Sequence, residues 1–374
     1  MDTFRIIGDV MPDVPAPAQE TVAAARAGML RARRRFPLRT GIAVAAAATV
    51  AVIGTAVAVP RPGDGTAVTA AVPSPGEVLG EVADRLARRE EPERVSWRVE
   101  TELVDRSPFT GDVLAGDAFT VENRSIEVRW AGPYGATVTQ ATPIGAGPFT
   151  AADRAKWRKM GSPRICGTDS ECGNDQYDRI PYGRTRYTPG PPADYDVFGL
   201  RLGMRELRGL PRDPKGLRTE IVSRWAPVLE SAGGRGGEAP APVPTFSQDD
   251  VVWQVGWELL AEVPATPETR AAVLRMLAAT PGARLADGLR DAAGRAGLAI
   301  TRASMAPGLE TRILIDRDTG DPLASELVDT AAGPQDPPAG SAYSSRLVRR
   351  IGWTDEVPVL PEGCTAQRDD LCLR

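Results

Sequence analysis

Histidine is absent from this chain of 374 residues. Its absence removes His-based catalytic triads, His metal sites and histidine proton shuttles together. Lysine is nearly missing: it stands only at Lys156, Lys159 and Lys215, so 42 of the 45 basic residues are arginine. The skew reads as codon bias rather than function. A Ser-Lys dyad has only those three positions to use, and no S-x-x-K occurs. There is also no G-x-S-x-G elbow and no Walker loop, and Gly145-Ala-Gly147 runs into Pro148 rather than opening a phosphate-binding helix. Aromatic residues make up only 5% and cysteines number four. The net charge of −4 argues against a general nucleic-acid binder. With no activated nucleophile to name, the sequence reads as a non-enzyme that needs no cofactor and offers no metal site.

The rest is ordinary: 42% hydrophobic, 25% charged, and long enough for one or two domains with a real core. One segment stands out. Gly41–Val59 is 19 residues without a charge. As a helix it covers about 28 Å, close to the ~30 Å hydrocarbon core. A soluble helix apolar all round would have to be buried all round. We therefore expect a transmembrane helix at 41–59. Residues 1–40 carry seven arginines against four acids, with none of the acids between Arg26 and Arg39. The positive-inside rule then puts a cytoplasmic arm at 1–40 and residues 60–374 outside a single-pass cell-membrane protein. A cleaved signal peptide, with Ala56-Val57-Ala58 as its site, is the rival, but its n-region would be unusually long.

All four cysteines lie after the span. Cys166 with Cys172 and Cys364 with Cys372 make two local pairs, and an oxidising compartment favours disulfides. Three connectivities are open, with the local pairing preferred. Zinc is the alternative, against wide spacings and no histidine. Asp169, Glu171, Asn174 and Asp175 crowd the first loop, where a solvated turn is the simpler reading than a hard-cation site.

Residues 60–73 read as a linker, and 74–374 as an α+β domain outside the membrane. Ser74, Pro75 and Glu77 spell a capping box ahead of the stripe Leu79, Val82, Ala83, Leu86. Val95–Leu103 alternates, with Trp97, Val99 and Thr101 on a packing face and Ser96, Arg98, Glu100 and Glu102 toward water. Ile126, Val128 and Trp130 alternate likewise, and Tyr134–Thr139 continues the meander. Thr150–Asp153 opens a short helix, and 161–200 reads as loop. Asp213-Pro214 caps a helix with Leu217, Ile221, Val222 and Trp225. Residues 231–247 read as an internal linker. Asp249–Ala261 and a helix from Thr266 to Ala279 form an αα-hairpin. Strands return at 298–301, 311–316, 323–328 and 346–353, with a turn at Asp318–Asp321. Runs of strands and runs of helices, rather than alternation, predict an antiparallel sheet packed by helices.

Two functional surfaces suggest themselves. Trp97, Trp130, Trp253 and Trp257 could line an apolar pocket, although core packing explains each at its own period. In the arm, Phe4, Ile6, Ile7 and Val10 form an apolar cluster. Forty residues cannot build a core, so a function there would be docking by folding on a partner; a topogenic tail needs no partner.

Several stretches carry a family likeness: Ile6-Ile-Gly-Asp-Val10 with Asp13-Val-Pro-Ala-Pro17, Thr150–Pro163, Leu210-Pro-Arg-Asp-Pro214, Thr280-Pro-Gly282 with Asp291–Gly297, and Asp318-Thr-Gly320. Through them the chain resembles the uncharacterised single-span membrane proteins of actinobacteria often encoded beside extracytoplasmic-function sigma factors. The resemblance implies a membrane-anchored, envelope-sensing regulator whose residues 1–40 contact a sigma factor in an anti-sigma-like way. It brings no catalytic residues. A zinc-containing anti-sigma domain needs His and Cys before the membrane, and residues 1–40 have neither. The alternative function is an extracytoplasmic lipid- or lipoprotein-binding module with no regulatory arm.

Overall fold

A computed structural model describes residues 73–109, 118–132, 136–163, 183–192, 194–233, 247–306, 308–330 and 340–362, with 165, 364 and 372–373 besides. The expected arm at 1–40, the span at 41–59 and residues 60–72 of the expected linker lie outside them. So do Cys166, Cys172 and the acidic loop 169–175. Among the described residues no helix is long and apolar enough to cross a membrane.

The described residues form six helices and twelve strands, in the order α1 (Pro75–Ala87), β1 (Ser96–Pro108), β2 (Thr120–Ala131), β3 (Ala136–Pro148), α2 (Ala151–Lys159), β4 (Arg186–Pro192), β5 (Asp194–Val197), β6 (Leu200–Gly203), α3 (Met204–Arg208), α4 (Pro214–Gly233), α5 (Gln248–Ala261), α6 (Pro267–Ala278), β7 (Arg284–Arg290), β8 (Ala296–Ala303), β9 (Leu309–Ile315), β10 (Pro322–Asp329), β11 (Ala342–Thr354) and β12 (Cys372–Leu373). Ten strands form one sheet in the order β12-β4-β3-β2-β1-β11-β10-β9-β8-β7, and β5 with β6 make a separate hairpin. Every pairing among the described residues is antiparallel. The large sheet is thus two meanders, β1–β4 and β7–β11, joined where β1 meets β11. The chain between them supplies the hairpin and the helices α3–α6. This is an α+β fold with a large antiparallel sheet packed by helices.

The punctuation signals behave as their chemistry dictates. The Ser74 hydroxyl accepts from the Glu77 N–H while the Glu77 carboxylate accepts from the Ser74 N–H. Thr150 with Asp153 and Ser247 with Asp250 close the same box on α2 and α5. Val82, Ala83 and Leu86 of α1 are buried together with Leu217, Ile221 and Trp225 of α4 in the main core. That core also holds Leu298, Ile300, Ile313, Ile315 and Val348 from the sheet. At Gly256 a Cβ would come within 2.9 Å of a Leu277 methyl, so glycine there permits the close approach of α5 to α6.

Four expectations need correction. First, Thr188-Pro-Gly-Pro-Pro192 lies in a strand, β4, inside the region expected to be loop. It sits between β3 and the two-residue β12, a position next to the sheet edge where proline is tolerated. Second, β7 was not foreseen: RLADGLR is broken by Gly288, at φ 73°, and its hydrophobic alternation is poor. Third, Glu102 does not meet water; it is fully buried. Arg349 is an extra residue in β11 opposite Glu100/Thr101, and such a bulge re-aims side chains. Arg349 and Arg124 both bond the Glu102 carboxylate, the Arg124 Nε at 2.7 Å. The expected internal linker also starts later, since α4 runs to Gly233; residues 234–246 lie outside the description.

Candidate functional site

Directly opposed residues of an antiparallel ladder share a face. The pairings therefore define rows across the sheet. One row reads Ile300, Ile313, Ser325, Arg346, Leu103, Ser125, Pro143. Its neighbour on the same face contains Arg302, Thr311, Leu327, Ser344 and Asp105. On the other side of that first row stand Leu298, Ile315, Val348 and Thr101, all buried under the helices. This is the helix face.

Helix α5 lies across it. Near its start, Asp250 pairs with Arg302 of β8 at 2.9 Å. Just past its end, Glu262 pairs with Arg346 of β11 at 3.5 Å and with Arg129 of β2 at 3.1 Å. Fourteen residues give about 21 Å of helix, and the five strand spacings from β8 to β2 cover about 24 Å. The helix is therefore a bar laid over six strands, pinned by ion pairs at both ends.

The burial of α5 is lopsided. From Val251 to Ala261 every side chain is buried except Gln254 and Glu258. Asp250, Gln254, Glu258 and Glu262 recur at i, i+4 and form one polar stripe. Beyond α5 no described element covers the sheet. Thr311, Ser325, Leu327, Leu103, Ser125 and Pro143 are all half-buried, whereas Val99 and Val348 on the covered side are buried. The result is a trough. Its floor, from β9 to β3 and about 24 Å by strand spacing, mixes leucine, proline and small hydroxyl residues with the polar pair Asp105 and Asn123. Its wall is the polar stripe of α5, and Arg346, about half exposed, stands on the floor beside that wall.

The wall is electrostatically unusual. Burial pushes the Glu258 carboxyl up to about 7, helped by the nearby Glu262 and Asp196 and opposed by a hydrogen bond from the Phe198 N–H and by Arg346. Glu262 is almost fully buried, and burial raises it as well, with Arg129 and Arg346 pulling the other way. Burial works against the Arg129 charge, but Glu262 and Glu127 outweigh it and hold the guanidinium protonated. Phe198 and Gly199 form the two-residue tip of the β5–β6 hairpin, both with positive φ (46° and 78°). The Phe198 N–H donates to the Glu258 Oε2 at 2.5 Å. The hairpin strands behind the tip are anchored by buried Tyr195, Val197 and Leu202, and the Trp225 indole N–H donates to the Val197 carbonyl at 2.8 Å.

The four tryptophans singled out from the sequence do not meet in one pocket. Trp97 is buried on the helix face, edge-on to Trp353 at 5.5 Å and with the Arg270 guanidinium over its ring. Trp253 and Trp257 are buried on α5 within the main core. Trp130 is paired opposite Arg98, and so lies on the far face, where the Arg98 guanidinium sits 5.3 Å from its ring centre. Cys364 is disulfide-bonded, and its partner lies outside the described side chains. Phe4, Ile6, Ile7 and Val10 lie outside the described residues. The sequence reading missed the trough, Glu258, Glu262 and Arg129. The i, i+4 recurrence of Asp250, Gln254, Glu258 and Glu262 on an otherwise apolar helix was the available signal.

No family model and no curated protein matches the chain. Among solved structures it is similar to a putative outer membrane lipoprotein-sorting protein domain from Vibrio parahaemolyticus. The two are 9% identical over 76% of this chain and 95% of that one, with a TM-score of 0.19. So slight a likeness carries no argument.

Proposed function

We propose that residues 74–374 form an extracytoplasmic binding module for a lipid or a lipidated protein, with the acyl chain lying in the trough beside α5. The observation that supports this is the uncovered band of the helix face. A leaflet's acyl chain reaches about 15 Å, half the ~30 Å hydrocarbon core, and the trough is longer than that. Leu103, Leu327 and Pro143 offer apolar contact, and the serine and threonine hydroxyls between them tolerate an ester or amide. Arg346 beside the wall suits a carboxylate or phosphate. The function is binding rather than catalysis. The module is held to the membrane by residues 41–59, with the N-terminus inside.

The test is binding of a dansyl fatty acid to the full chain in nanodiscs, with empty nanodiscs as the blank. Leu103→Glu and Leu327→Glu place charge on half-buried floor positions and are expected to weaken binding at least about tenfold, or ~1.4 kcal/mol. Affinity unchanged in both variants would overturn the reading.

A second reading rests on the arm. Six arginines without an acid from Arg26 to Arg39, behind the apolar cluster Phe4–Val10, favour a cytoplasmic partner for residues 1–40. The resemblance makes that partner a sigma factor, with the outer module as its envelope sensor. Capture of the neighbouring sigma factor by the full chain, lost on deleting residues 1–35, is the expected result. Sigma-dependent transcription indifferent to that deletion would remove this reading.

A further inference from the structure

Arginine is the usual partner of a carboxylate on this sheet: Glu100, Glu102, Glu122, Glu127 and Glu310 each bond one. Asp105 is different. It stands exposed on the trough floor, and among the described residues no cation pairs with it. Its one bond comes from the Ser344 hydroxyl, which donates to Oδ1 at 2.6 Å. Directly opposite on β2 is the half-buried Asn123, whose side-chain amide makes no hydrogen bond among the described residues. Ser344 faces Asp105 across β11 and β1, and two residues along the same strands Arg346 faces Leu103. Arg346 is therefore the diagonal neighbour of Asp105, about 7–8 Å from it along the sheet. The Arg346 side chain is half exposed, and its ion pair with Glu262 is loose at 3.5 Å. Glu262 keeps Arg129 at 3.1 Å if Arg346 turns to a ligand.

We propose that the ligand of the trough is a lipid with a phosphopolyol headgroup, its phosphate on Arg346 and its hydroxyls on Asp105 and Asn123. The proposal rests on the binding reading and adds the headgroup to it. The planar guanidinium fork of Arg346 matches a phosphate. A carboxylate only accepts hydrogen bonds, whereas an amide both donates and accepts. Neighbouring hydroxyls satisfy both: their O–H groups donate to Asp105 and to the Asn123 carbonyl, and their oxygens accept from the Asn123 NH2. An ammonium suits Asp105 alone, because it leaves the Asn123 donors without an acceptor. A phosphate with no donors beside it suits Arg346 alone and meets Asp105 as a like charge. The acyl chain has its path as well. From Arg346 the row runs through Leu103 and Ser125 to Pro143. That is three strand spacings, about 14 Å, close to the ~15 Å reach of a leaflet's acyl chain.

The experiment is displacement of the dansyl fatty acid from the full chain in nanodiscs by soluble dioctanoyl lipids, with empty nanodiscs as the blank. Phosphatidylinositol, phosphatidylethanolamine and phosphatidylethanol are compared below their micelle concentrations. The inositol lipid is expected to act at a concentration at least about tenfold lower than the other two, the size of hydrogen bonds made to a charged group. Asp105 is exposed, so Asp105→Ala is expected to fold. In Asp105→Ala and in Asn123→Ala the advantage over phosphatidylethanol should shrink to about twofold or less. Free inositol monophosphate should displace nothing at the same concentrations, because it brings no acyl chain. Equal displacement by the inositol lipid and phosphatidylethanol, or a full advantage kept in Asp105→Ala, would overturn the polyol site. Stronger displacement by phosphatidylethanolamine would give the pair to an ammonium and overturn it too. Inositol monophosphate as strong as its lipid would remove the lipid from the proposal. A dansyl fatty acid that fails to bind at all would sink the binding reading and this one with it, a result distinct from each of the others.

Discussion

Replacing Glu258 by glutamine should stabilise the domain at alkaline pH and leave it unchanged in acid. Burial raises this carboxyl from 4.5 to about 7. Between those values the folded chain holds a proton that the unfolded chain has released. Stability therefore falls as pH rises from about 4.5 to about 7, and is flat beyond. At 1.36 kcal/mol per unit, the shift of about 2.5 units corresponds to about 3 kcal/mol. That figure is a ceiling, since Glu258 is partly exposed and solvent screens it. Glutamine keeps the contact to the Phe198 N–H and removes the proton. Urea unfolding of both chains at a series of pH values, compared as a difference, isolates Glu258 from the other carboxyls. The difference should be near zero at about pH 4 and reach about 1–3 kcal/mol in favour of the variant at about pH 8. A difference independent of pH would refute the assignment of that proton to Glu258.

Other consequences can be measured on the same unfolding curves. Glu102 is fully buried but its partners Arg124 and Arg349 are nearly half exposed. Glu102→Leu should therefore cost less than about 1 kcal/mol, while the double change Arg124→Ala with Arg349→Ala strands the carboxylate and should cost about 3–5 kcal/mol. Trp225 gives a hydrogen bond to Val197, whereas the equally buried Trp257 indole N–H makes none; Trp225→Phe should be the more damaging by about 1 kcal/mol. Gly320 turns β9 into β10 at φ 76° with Val82 3.0 Å from where a Cβ would stand, so Gly320→Ala should cost about 1–3 kcal/mol.

Much of this fold can be read from the residues. Ser74-Pro75 and Glu77 announce α1, and Thr266-Pro267 announces α6, because each satisfies helix-end N–H groups with local chemistry. The alternation of Trp97, Val99 and Thr101 marks β1 for the same local reason. What escaped was set by distant partners. Glu102 is buried because Arg349, far along the chain, bulges and turns toward it. Thr188–Pro192 is strand because it lies beside β3 near an edge that forgives proline. The trough escaped for a similar cause. Leu103, Ser125, Ser325 and Leu327 come from three strands, and only the register puts them in adjacent rows. Glu258 and Glu262 stand at an ordinary i, i+4 spacing, and only packing against Arg129, Arg346 and the hairpin tip gives them unusual protonation.

The central claim is that the uncovered band of the helix face receives an acyl chain. A fatty acid bearing a photoactivatable diazirine, crosslinked to the full chain in nanodiscs and mapped by mass spectrometry, tests it directly. The account predicts adducts at Leu103, Ser125, Ser325 and Leu327, diminished by unlabelled fatty acid. Adducts confined to far-face residues such as Val104 and Trp130, or none above a non-binding control protein, would contradict it.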